Sequence, residues 1–124
     1  MPIRTRRWND PAQPGDGLRL LICRYRPRAL PKADETWEAW WPALGPSREL
    51  HADFYGKHGA PIGWEAYRKR YLAEVRRRKP LIEQLAARVQ GGETVTLLCS
   101  SACVDPAHCH RTLLKDLIER AVSG

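Results

Sequence analysis

At 124 residues the chain is long enough for one domain with a real core and too short for two. A hydrophobic fraction of 43% and five tryptophans exclude a disordered protein, and no apolar run approaches the ~18–20 residues that cross a bilayer. The net charge of +7 favours anionic partners such as phosphate-bearing molecules, nucleic acid or acidic proteins.

The first residues, Met1 to Trp8, are basic and lack the apolar stretch of a signal peptide, so a cytoplasmic location is expected. Ile3 to Trp8 reads as a short edge strand whose charges protect the edge. The turn-rich Asn9-Asp10-Pro11 and Pro14-Gly15-Asp16-Gly17 make a loop. Leu18 to Cys23 is nearly continuously apolar, as in a parallel strand covered on both faces. An irregular basic loop, Arg24-Tyr25-Arg26-Pro27-Arg28, leaves it. Asp34 is placed to cap a short helix carrying Trp37, Trp40 and Trp41 on one face.

Pro42 to Gly63 contains enough prolines and glycines to predict a long loop, with His51 and His58 as lid candidates or plain surface residues. Trp64, Tyr67, Tyr71, Leu72 and Val75 follow helical spacing. Pro80 ends or kinks that helix, Leu81, Ile82, Leu85, Ala86 and Val89 continue the pattern, and Gly91-Gly92 stop it. The strand Thr94 to Cys99 follows. Asp105-Pro106 supplies an N-cap and first position for a last helix ending near Val122. The order β, β, helices, β, α predicts an α/β fold: a small, mainly parallel sheet flanked by helices in three layers, Rossmann-like or flavodoxin-like, over residues 1–124.

Chemistry concentrates in the segment Cys99 to Arg111, which holds three of the four cysteines. Outside an oxidising compartment these read as free thiols, metal ligands or redox groups. At about 100° per residue, His110 falls in the middle of the stripe formed by Leu113, Leu114, Leu117 and Ile118. It therefore faces the sheet near the end of the strand carrying Cys99, with Arg111 beside it at an anion-attracting helix start. The plain alternative makes Cys99 and Cys109 small buried hydrophobes and His110 a structural hydrogen-bonder. The spacing does not match the thiol-phosphatase loop, because Asp105 stands where that loop needs its cysteine. Zinc held by Cys99, Cys103, Cys109 and either His108 or His110 has suitable residue types without the usual Cys-x-x-Cys pairing. Redox exchange between Cys103 and Cys99 or Cys109 is the remaining thiol reading.

The chain resembles the bacterial DUF488 family of small uncharacterised proteins over nearly its whole length. The resemblance is clearest in Arg19 to Lys32, with its hydrophobic strand, arginine and Pro27-Arg28-Ala29-Leu30. It continues in Gly45-Pro46-Ser47-Arg48-Glu49-Leu50 and in Trp64 to Tyr71, and closes with Thr96-Leu97-Leu98-Cys99 and Cys109-His110-Arg111. Cys23 stands where the family often has an acidic residue, Arg26 where it has tryptophan, and Ala29 where it has glycine. The resemblance implies an α/β fold and no particular reaction.

The expected function is binding of a small anionic or phosphate-bearing ligand in a pocket at the strand ends. Cys99 and His110 are the candidate catalytic groups, and Arg24, Arg28 and Arg111 the candidate anion clamps. No metal ligand is assigned, and cofactor, oligomeric state and the existence of a reaction stay open. The alternatives are a non-sequence-specific nucleic-acid module using the basic run Arg68 to Lys79, and a small zinc-binding domain.

Overall fold

The computed structural model describes residues 3–123. Strands β1 (Ile3–Arg7), β2 (Leu18–Leu21), β3 (Ala39–Trp40) and β4 (Val95–Cys99) form one sheet in the order β1-β4-β2-β3, and every neighbouring pair is parallel. β4 is bonded on both sides and all five of its residues are buried, which is why Val95 to Cys99 is almost wholly apolar. Leu97 lies opposite Thr5 on one side and Leu20 on the other. β1 is an edge strand as predicted, and Arg4 and Arg6 turn to the carboxylate of Asp16.

Helices α1 (Arg48–Phe54), α2 (Trp64–Val75), α3 (Lys79–Gln90) and α4 (His110–Ser123) complete the fold. Their apolar faces meet one face of the sheet. Leu50, Tyr67, Tyr71, Val75, Leu85, Leu114 and Ile118 join Leu20, Ile22, Val95 and Leu97 in one core. Each such leucine or isoleucine contributes about 1.5–3 kcal/mol on burial. On the other face of the sheet, loop segments form the third layer. The buried Arg19 donates to Asp16, to the Thr36 carbonyl and to the Asp10 carbonyl, while the Thr96 hydroxyl donates to the Asp16 carbonyl.

Three local expectations are corrected. Asp34 caps no helix over the tryptophans; a 3-10 turn at Lys32–Asp34 gives way to extended chain and to β3. The open edge of β2 supplies the reason: the Glu38 N–H donates to the Arg19 carbonyl and the Trp41 N–H to the Leu21 carbonyl, and Pro42 blocks helical continuation. The stretch 42–63 is not all loop, because Ser47 caps α1 by accepting from the Leu50 N–H. The last helix starts later than Asp105. Asp105 caps a 3-10 turn at Pro106–His108, Cys109 is extended, and α4 begins at His110. The break between α2 and α3 is a 3-10 turn at Arg76–Arg78, with Pro80 in the first turn of α3.

Candidate functional site

Parallel strands that end side by side leave a crevice beyond their carboxyl ends. Here β2 runs out through Ile22 and Cys23, β4 ends at Cys99, and the first turn of α4 covers the gap between them. The Ile22 N–H still donates to the Leu98 carbonyl at 3.0 Å, so the two strand ends remain locked together.

His110 is held by this arrangement. Its ring is buried, and Nε2 lies 2.9 Å from the Ile22 carbonyl oxygen. A carbonyl only accepts, so Nε2 carries a proton and donates it, which leaves Nδ1 as the atom that gains and loses a proton. Nδ1 lies 3.7 Å from Cys99 Sγ. The sequence therefore oriented His110 correctly towards the strand end carrying Cys99, even though the helix starts later than predicted.

The electrostatics follow from these contacts. The Cys99 thiol is held well below its usual range, first by the neighbouring Cys23 thiol donating towards it, then by the charge and hydrogen bond of His110, against the opposing effect of burial. Cys23 is pushed up by the same neighbour, so it stays a protonated donor. Burial alone would lower His110, but the Cys99 charge and hydrogen bond and the Ile22 carbonyl raise it. Both shifts favour the charged pair, a thiolate beside an imidazolium, next to the start of α4, whose free N–H groups also favour negative charge.

Two further sulfurs lie against this pair. Cys109 Sγ is 3.2 Å from Cys99 Sγ, and Cys103 and Cys109 are joined as a disulfide. The sulfurs of Cys99, Cys103 and Cys109 all lie within 4.8 Å of one another, a donor set that can hold a metal ion only after the disulfide is reduced. Neither histidine considered as a fourth ligand belongs to that cluster. His108 packs its ring against Trp64 at 5.1 Å and pairs with Asp105.

Above Cys99 and His110 opens a cavity of about 950 Å3. Arg24, Arg26, Arg28, Arg48 and Lys57 line it; Arg26 is paired with Glu35, and the other four form no ion pair among the described residues. Arg24 is anchored by donating Nε to the Pro46 carbonyl at 2.8 Å, whereas Arg28 is exposed. Gly45 is what lets the Pro46 segment come so close, since a Cβ there would stand 2.5 Å from the Arg24 nitrogen. Aromatic rings form much of the wall. Tyr25 packs edge-on to His51 at 5.0 Å, His51 meets Tyr55 at 4.6 Å, and Trp40 donates its indole N–H to the Cys23 carbonyl.

Arg24, Arg28, Cys99 and His110 thus line one cavity. Arg111 is buried behind it and is not among the lining residues; its Nη2 donates to the Cys103 carbonyl, and its Nε has no hydrogen-bond partner among the described residues. Tyr25, Trp40, Arg48, Tyr55 and Lys57 were not anticipated as site residues. A correct reading of α1 would have signalled Arg48, Tyr55 and Lys57, which that helix and its C-terminal turn carry. The basic run 68–79 lies elsewhere: Arg70 pairs with Asp53, and Arg76, Arg77 and Arg78 stand exposed. No described helix is long and apolar enough to cross a membrane.

Comparison with known proteins finds relatives over most of the chain. An uncharacterised Escherichia coli protein, YeaO, is 34% identical over 101 residues, covering 82% of this chain and 84% of its own. The uncharacterised Mycobacterium tuberculosis protein Rv3073c is 28% identical over 116 residues, covering 94% and 92%. No solved structure matches. A family model described as the active DUF488-N3 subclade matches residues 3–122, and the chain belongs to this DUF488-N3a family.

Proposed function

We propose that the cavity binds a small anionic, phosphate-bearing molecule and that Cys99 and His110 act on it by group transfer. The observation that carries this reading is the Cys99 Sγ–His110 Nδ1 contact at the floor of a cavity walled by Arg24, Arg28, Arg48 and Lys57. Phosphate or carboxylate oxygens suit the guanidinium groups, and a planar portion of the ligand suits Tyr25, Trp40 and Tyr55. Arg111 serves as a fixed positive charge behind the wall rather than as a contact. In the reaction, the Cys99 thiolate forms a bond to an electrophilic centre of the ligand. The bond to the leaving group breaks, the leaving group takes that electron pair, and the proton on His110 Nδ1 neutralises it.

The test is thermal melting of the reduced protein with inorganic phosphate, pyrophosphate and a panel of phosphorylated metabolites. A bound ligand raises the melting temperature with its concentration. It also shields Cys99 from iodoacetamide, and both effects disappear in the Arg24→Ala/Arg28→Ala double variant. A panel that neither stabilises the wild-type protein nor protects Cys99 sinks the proposal.

A second reading, nucleic-acid binding without sequence preference, is favoured by the exposed Arg76, Arg77 and Arg78, none of which forms an ion pair with a described residue. It requires binding to generic duplex DNA or RNA at low salt, with a salt slope that shrinks when the three arginines are replaced by glutamine.

A further inference from the structure

We propose that Cys99, Cys109 and Cys103 form a thiol–disulfide relay, through which the buried Cys99 exchanges oxidising equivalents with disulfide-containing small molecules by way of Cys103. Three sulfurs clustered within 4.8 Å of one another, one of them free of the disulfide, bring an attacking thiol against a disulfide, and the Cys99 side chain has only to swing into line with the S–S bond. Cys99 Sγ stands 3.2 Å from Cys109 Sγ, and the other side of Cys109 is bonded to Cys103. Exchange begins when a thiolate attacks one sulfur of a disulfide and the other sulfur leaves. Here the attacking and attacked atoms already touch.

The three sulfurs also differ in access. Cys99 and Cys109 are each 2% exposed, whereas Cys103 is half-buried on the loop between β4 and the 3-10 turn. That loop is tethered by the Cys103 N–H donating to the Ser100 carbonyl and by Arg111 donating to the Cys103 carbonyl. Cys99 is fixed by β4 and Cys109 by its position immediately before α4. A reagent from solvent therefore meets Cys103 first.

The chemistry balances without a cofactor. In the internal step the Cys99 thiolate attacks Cys109 Sγ. The Cys99–Cys109 bond forms, the Cys109–Cys103 bond breaks, and its electron pair leaves on Cys103 as a thiolate. No net oxidation occurs. In the outer step the freed Cys103 thiolate of a fully reduced protein attacks a low-molecular-weight disulfide. One half is released as a thiolate and the other stays on Cys103 as a mixed disulfide. Cys109 then displaces the second half, closing Cys103–Cys109. One external disulfide becomes two thiols, and two protein thiols become one disulfide. His110, beside Cys99, takes up or returns the Cys99 proton.

Cys99 is consumed when the bond moves inward, so oxidation would switch off the group-transfer reaction. That consequence rests on the catalytic reading of Cys99; the exchange does not.

The experiment maps disulfides in protein oxidised with glutathione disulfide, quenched in acid and blocked with N-ethylmaleimide before non-reducing peptide analysis. Wild-type protein is expected to show both Cys103–Cys109 and Cys99–Cys109 linkages. Cys99→Ser should show only the first and Cys103→Ser only the second, with far-UV circular dichroism confirming that both variants fold. Wild-type protein in which Cys99 is fully blocked by N-ethylmaleimide at every time and pH, with only Cys103–Cys109 formed, overturns the relay. The wild-type map needs no variant, and it reads sulfur connectivity rather than ligand binding, so it fails independently of the phosphate reading.

Discussion

Replacing His110 by alanine tests the site and the fold together. The substitution removes the Nε2 donor from the Ile22 carbonyl at 2.9 Å and the Nδ1 contact to Cys99 at 3.7 Å. A buried carbonyl left without its donor costs about 1–3 kcal/mol. The ring also packs against Tyr71, with centroids 5.3 Å apart. At about 24 cal/mol per Å3 of residual cavity, an unfilled ring of roughly 50 Å3 adds about 1 kcal/mol. Urea unfolding under reducing conditions should therefore show a loss of about 2–4 kcal/mol. The pH dependence has a definite sign. His110 is raised in the folded protein, so its stabilising share is complete below the unfolded value of ~6.5 and is lost as pH rises through the folded value. The gap between wild type and variant should narrow across that window. In parallel, the pH profile for iodoacetamide labelling of Cys99 should move upward in the variant, because the thiolate loses its charged neighbour. A variant within roughly 0.5 kcal/mol of wild type, with a superimposable labelling profile, would refute the reasoning.

Other perturbations test the scaffold. Burial pushes the Asp16 carboxyl up, but the Gln13 N–H, Arg19 and Arg4 outweigh it and hold the group at about 2. A depressed carboxyl contributes stability above its unfolded value of ~3.9, lost as pH falls towards 2, so wild-type urea midpoints should drop across that range while those of Asp16→Asn stay flatter. The same variant strands the buried Arg19 without its partner 2.6 Å away and should cost about 3–5 kcal/mol at pH 7; a loss under roughly 1 kcal/mol contradicts the pairing. Gly17 has φ +62°, and a Cβ there would lie 2.1 Å from the Thr94 carbonyl oxygen, which accepts the bond from the Leu18 N–H. Gly17→Ala should destabilise by more than about 1–3 kcal/mol by denaturant titration, and a neutral result would show that the β2–β4 junction moves freely. Ala29 has φ +56°, a left-handed conformation that favours glycine. Ala29→Gly should release about 1–2 kcal/mol of strain against about 0.4–1 kcal/mol of added freedom in the unfolded chain, raising the melting temperature slightly; a clear drop excludes the strain.

The central sheet was legible because β2 and β4 are apolar runs bounded by turn residues, and their parallel pairing placed Cys23 and Cys99 at one sheet end. α2, α3 and α4 were legible because Tyr67-Tyr71-Val75, Ile82-Leu85-Val89 and Leu114-Ile118 repeat at helical spacing. The tryptophan segment was misread because periodicity over Trp37, Trp40 and Trp41 ignores the open edge of β2, whose carbonyls at Arg19 and Leu21 capture the chain as extended backbone. α1 was missed because seven residues hold too few apolar positions to show a period, and its one clear signal, Ser47 as cap, lay among prolines and glycines. Missing α1 hid Arg48 and Tyr55 and left His51 as a loop residue. The position of Arg111 was not readable at all: two adjacent residues at a helix start can both be buried only when the preceding chain folds over one of them, and the loop carrying Cys103 does so.

That burial has a consequence for Cys99. Arg111, a permanent cation, and His110 stand next to each other inside the protein, at 4% and 6% exposure. Buried like charges raise each other's cost and require a neighbouring anion. The group in contact with His110 that can supply one is Cys99, and the two groups favour each other's charged form. Cys99→Ser keeps the size and hydrogen-bonding capacity of the side chain and removes the charge, since a serine hydroxyl does not ionise in this range. With the anion gone, burial and the Arg111 charge both push His110 down. NMR titration of the His110 ring under reducing conditions should place it above ~6.5 in the wild-type protein and below that value in the variant. If His110 still titrates above ~6.5 in Cys99→Ser, its charge is balanced by another group, and the thiolate–imidazolium pair is not what organises this site.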